Sequence, residues 1–107
     1  MKAIRIDENG IEFDNGTKVA DYHGQDCCER VYCDWNQLQD TNILDHEFKE
    51  VSIEGVENSG IRLNGYFIPC YNEQNGYYSS DLSVSIITPD GKVEEVDISN
   101  FVEDRIE

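Results

Sequence analysis

Apolar and polar residues alternate along much of this chain, the period-two pattern of strands with one buried face. Ile4 and Ile6 point one way in this reading, and Ile11 and Phe13 share a face with Glu12 opposite. Val51 and Ile53 alternate with Glu50, Ser52 and Glu54, and Leu82, Val84 and Ile86 alternate with Ser83 and Ser85. Between these runs stand Asn9-Gly10, Asn15-Gly16, Asn64-Gly65 and Asn75-Gly76, dipeptides that accept the positive φ of tight hairpin turns. Pro89-Asp90-Gly91 adds a fifth turn.

Two places depart from simple alternation. Val93 is out of phase with Val96 and Ile98, which predicts a β-bulge at Glu94-Glu95. From Ile61 to Tyr71 apolar residues occupy both parities, as in a strand covered on both faces, and Pro69 marks an edge or an end of pairing on one side. Helix signals are few. Trp35–Gln39 fits one or two turns that continue unevenly toward Asp45, and Ser99 can cap a short terminal helix. The pattern predicts a mainly β (β-rich α+β) chain. Its expected form is an antiparallel meander of six to eight strands, curled or sandwich-like, with one or two short helices.

Composition narrows the class. The chain has 107 residues, which is one domain's worth, read here as a single unit over 1–107. Ile, Leu, Val and Phe make up about a quarter of it, above the level at which disorder is the default. Met1–Asp7 lacks the apolar stretch of a secretory signal, and no apolar run approaches the length of a membrane helix. The expected compartment is therefore the cytoplasm, where Cys27, Cys28, Cys33 and Cys70 read as small buried side chains rather than bridges.

Metal-type and redox-type residues concentrate in His23-Gly24-Gln25-Asp26-Cys27-Cys28-Glu29-Arg30-Val31-Tyr32. A metal site here would draw on His23, Asp26, Cys27 or Cys28, and Glu29. Adjacent cysteines on a strand point to opposite faces, however, and lack the spacing that lets two thiolates converge on one ion. An extended segment places Cys27, Glu29, Val31, Cys33 and Trp35 on one face, with Cys28, Arg30, Tyr32 and Asp34 on the other. The plainer expectation is that Asp26 closes a turn while Cys27, Val31, Cys33 and Trp35 fill the core. Pairing of a cysteine with His23 or His46 for nucleophilic chemistry has no flanking motif behind it. Tyr77 and Tyr78 point to opposite faces of their strand. One is expected in a cross-strand aromatic pair with Tyr66 or Tyr71, and the alternative is an exposed binding anchor.

The string from His23 to Val31, followed by Asn75-Gly76-Tyr77-Tyr78-Ser79, resembles a family of short proteins common in bacteriophages and mobile elements. That family carries His-x-Gln-Asp-Cys-Cys-Glu-x-Val and a later Asn-Gly-Tyr-Tyr-Ser. The correspondence runs in order over roughly residues 17 to 88 and departs at Tyr66–Tyr71. The resemblance implies a β-rich domain in a phage-related setting, and brings no agreed activity with it.

Charge is the other informative feature. Lys and Arg number 8 against 23 Asp and Glu, a formal net charge of −15. Such a chain repels phosphates, so neither direct nucleic-acid binding nor an anionic membrane surface is expected. Alternation sends Glu12, Glu50, Glu54, Glu95 and Asp97 outward, and Glu103 and Asp104 extend the acidic surface near the C-terminus. The chain lacks a Gly-rich phosphate loop, a Gly-x-Ser-x-Gly elbow, a His-Glu-x-x-His helix and an Asp-x-Asp-x-Asp-Gly calcium loop. The expectation is a non-catalytic acidic binding protein without cofactor, with a positively charged protein as partner. In a phage setting it would be an inhibitor that imitates nucleic acid in the basic cleft of a host nuclease, restriction enzyme or CRISPR effector. The alternative is a small metal-binding or structural domain built on His23, Asp26, Cys27, Cys28 and Glu29.

Overall fold

A computed structural model describes residues 1–22, 31–73 and 82–104. Ten strands are formed among them. One sheet contains β1 (Ala3–Asp7), β2 (Gly10–Phe13), β3 (Lys18–Tyr22), β8 (Ser83–Ile87) and β9 (Val93–Asp97), in the order β1-β2-β3-β8-β9. The other contains β5 (Ile53–Val56), β6 (Gly60–Leu63), β7 (Tyr66–Asn72) and β10 (Glu103–Asp104) in the order β10-β7-β6-β5, with β4 (Val31–Cys33) also paired to β7. Pairing is antiparallel except for the two-residue β10–β7 contact. The count exceeds six to eight because β4 and β10 are too short to leave an alternating signal.

Both sheets turn their apolar sides to one core. Ile11, Phe13, Val19, Leu82, Val84 and Ile98 enter it from the first sheet or its flanks, and Ile61, Leu63, Ile68, Val31 and Cys70 from the second. Trp35 and Leu38, on a 3₁₀ turn over Trp35–Asp40, and Ile43, on another over Ile43–Asp45, are also fully buried. Val31, Cys33 and Trp35 share the inward side while Tyr32 and Asp34 are half-exposed, as the extended reading of that segment predicts.

Three features of the alternation come out differently from expectation. The bulge lies in β1, not β9. Ala3 pairs with Phe13 and Arg5 with Glu12, so Ile4 is the extra residue. It is pushed into solvent, 59% exposed, while Ala3 and Ile6 rather than Ile4 and Ile6 take the inward side. The β8–β9 register runs unbroken from Ser83–Asp97 to Ile87–Val93. The phase slip is absorbed because β9 is an edge strand: Val93 lies on the outer face, 58% exposed, and Glu94 takes the core-side parity at the rim. Ile61–Tyr71 is not one strand buried on both faces. It is β6 and β7, each burying one face, and the parity flips at the Asn64-Gly65 turn, whose residues both have positive φ (49° and 88°). Pro69 is tolerated because β4 pairing stops at Cys70 on that side.

Other turns also differ in detail. At the β1–β2 hairpin the loop residues are Glu8 and Asn9, and Gly10 belongs to β2. A Cβ on Gly10 would collide with the Val19 carbonyl oxygen, so close backbone approach fixes glycine there. Ser99 opens the terminal 3₁₀ turn (Ser99–Phe101) instead of capping it. Its N–H and hydroxyl both donate to the Asp97 carboxylate.

Candidate functional site

The acids named from the sequence do not gather on one face. Glu95 and Asp97 lie side by side on the outer face of β9, both exposed. Glu12 is on the same sheet, but half-buried and in register with Arg5 on β1 and Lys18 on β3. Glu54 belongs to the second sheet, opposite Arg62, while Glu103 sits beside Tyr71 at that sheet's far edge and Asp104 pairs with Asn72. Glu50 is exposed ahead of β5, its carbonyl accepting from the Asn64 side chain.

The concentrated anionic element is the β8–β9 hairpin. Asp90, at its turn, and Glu94, Glu95 and Asp97 along its free edge are all exposed, and Lys92 is the one cation between Thr88 and Ser99. Ion pairs between described residues are Met1–Glu47 and Arg5–Asp7, so none of these four carboxylates is neutralised by one. Hydrogen bonds from the Thr88 hydroxyl and the Lys92 N–H hold the Asp90 carboxyl below the usual aspartate range. The Ser99 hydroxyl and N–H do the same for Asp97. Both stay anionic well into mild acid. Asp90 and Glu94 were missed from the sequence; Glu94 was hidden by the expected bulge, which left its direction undefined.

A second cluster joins a half-buried aspartate to buried side chains. Asp21, on β3, reaches across to the second sheet. Its Oδ2 accepts the Cys33 N–H at 2.8 Å and its Oδ1 accepts the Trp35 Nε1–H at 2.9 Å. Beside it the Cys33 and Cys70 sulfurs lie 3.2 Å apart. The hydrogen bond with Cys70, burial and the Asp21 charge push the Cys33 thiol well above its ordinary range, which keeps it protonated and poorly nucleophilic. Asp21 follows Val19 at strand spacing, a position the alternation assigns to the core; that inward parity was the available signal.

Aromatic rings also pair among the described residues. Tyr71 packs on Tyr32, with centroids 5.7 Å apart, and Tyr66 meets His46 and Phe48. Tyr77 and Tyr78 lie outside the described residues, as do His23, Gln25, Asp26, Cys27, Cys28 and Glu29. Among the described residues no three His, Cys, Asp or Glu side chains come together in a way that would hold a metal ion. Nor is any helix among them long and apolar enough to cross a membrane. The chain matches no protein-family model, no curated protein and no solved structure.

Proposed function

We propose that this protein works by binding, with the acidic β8–β9 hairpin gripped by a positively charged protein. The observation that carries the reading is the set Asp90, Glu94, Glu95 and Asp97, four exposed carboxylates on one hairpin with no ion-pair partner among the described residues. Alternate residues on a strand face are about 6.8 Å apart, so Glu95 and Asp97 present two carboxylates at that spacing on one face. With Asp90 and Glu94 beside them they would stand in for a short stretch of phosphates, which makes the basic cleft of a nucleic-acid enzyme the fitting class of partner. The phage setting implied by the His23–Val31 string supplies a reason for such a decoy, and the cytoplasm is where it would act. Opposite fields steer the encounter, and salt weakens it. No catalytic step enters this reading.

The test is binding to a panel of basic nucleases, restriction enzymes and RNA-guided effectors across a salt series, with an E94K/E95K/D97K variant alongside. Affinity that falls at least tenfold between 50 and 300 mM salt, and is lost in the variant, supports the proposal. Absence of binding at low salt, insensitivity to salt or an unaffected variant overturns it.

A further inference from the structure

Cys33 and Cys70 are directly opposite each other on the antiparallel strands β4 and β7. Neither exchanges a backbone hydrogen bond with the other: the Cys33 N–H goes to Asp21, and the Cys70 N–H goes to the Ser59 carbonyl on the opposite side of β7. They therefore occupy a non-hydrogen-bonded pair, the narrower of the two antiparallel pairings, with Cα atoms about 4.5 Å apart. That falls within the span a disulfide bridges, and the sulfurs already lie 3.2 Å apart. We infer that Cys33 and Cys70 form a reversible cross-strand disulfide when the protein meets a small-molecule disulfide such as oxidised glutathione.

The chemistry is two successive exchanges. One cysteine, as thiolate, attacks a sulfur of the small disulfide, forming a mixed disulfide and releasing one small thiol. The other cysteine, deprotonated in turn, attacks the protein sulfur of that mixed disulfide and expels the second small thiol. Two protein thiols become one S–S bond, and their two electrons and two protons leave on the two small thiols. The cysteines are 2% and 0% exposed, so reagent enters when β4 lifts from β7. β4 is three residues long, which makes it a natural unit of local opening. Once formed, the bridge pins β4 at the point where Asp21 holds the Cys33 backbone and the Trp35 indole.

The experiment treats the native full chain with excess oxidised glutathione, quenches with acid, digests with trypsin and maps the products by mass. Cleavage at Arg30, Lys49, Arg62 and Lys92 places Cys33 and Cys70 in separate peptides, 31–49 and 63–92, and Cys27 with Cys28 in a third. The expected result is peptide 31–49 joined to 63–92, reversed by dithiothreitol. The oxidised protein should also melt about 5 °C or more higher. The same link should form in a C27S/C28S variant. The inference is overturned if both thiols remain free while the chain is folded, if they persist as separate glutathione adducts, or if the dominant link runs to peptide 19–30.

Discussion

Asp21 and Trp35 are joined by a 2.9 Å hydrogen bond that runs from the indole of the second sheet's 3₁₀ turn to a carboxylate on the first sheet. The second oxygen of the same carboxylate takes the Cys33 N–H. One aspartate thus satisfies two buried donors that strand pairing leaves over, and it ties the sheets together at the end of β3.

Asp21→Ala should be among the most destabilising single changes outside the apolar core. It leaves the Trp35 Nε1–H and the Cys33 N–H unpaired, a cost of about 2–5 kcal/mol. Urea unfolding followed by Trp35 fluorescence measures this directly. Asp21→Asn should fall between wild type and alanine, because one carboxamide oxygen remains to accept.

Gly10→Ala tests the close approach of β2 to β3. The added methyl would meet the Val19 carbonyl oxygen in a backbone with φ of 146°, so the hairpin must separate. A loss of about 2 kcal/mol or more is expected, read as a fall in thermal midpoint. Gly65→Ala removes only the left-handed freedom of the type I′ turn, where the side chain meets open space, and should cost about 1 kcal/mol.

Much of the fold was legible because burial on one face imposes period two. Ile11 with Phe13, and Leu82 with Val84 and Ile86, were placed correctly from that alone. Two of the failures share a cause. Ile4 and Val93 are large apolar residues on the outermost strands, where exposure is tolerated, so their hydrophobicity misstated their direction. The buried site was harder to read. Cys33 and Cys70 were assigned to the interior, but their pairing depends on β4 meeting β7 across 37 residues, a register no local pattern encodes. Asp21 was passed over because its inward parity is unusual for a carboxylate.

Stability should decline on the alkaline side through Cys33. Its folded value is raised, so its contribution is complete below the ordinary thiol value of about 8.5 and is lost as pH climbs through the raised value. Unfolding free energies at pH 7, 8.5 and 10 should fall in that order, with a shallower fall in Cys33→Ser.

The acid side should show the opposite sign. Asp90 and Asp97 are lowered by their hydrogen bonds, so their contributions are present above the ordinary aspartate value of about 3.9 and disappear as pH falls through the lowered values. Carboxyl NMR titration should find both below the ordinary aspartate value, and Ser99→Ala should return Asp97 toward it.

Glu94 at the rim of β9 should act against self-association. A charge with core-side parity on a free edge discourages a second strand from adding there. Glu94→Val leaves the β8–β9 register intact yet should raise light scattering on concentration, whereas Asn100→Ala should not.

β7 takes partners from three stretches of chain: its hairpin neighbour β6 and the distant β4 and β10. Assembly of the second sheet therefore waits for residues 103 and 104, which complete the flank of β7. With β3 also waiting for β8, three of the strand pairs join remote segments, and as an all-β fold the chain belongs among the millisecond-to-second folders. Nascent chains arrested before residue 103 should thus expose the flank of β7 to chaperones.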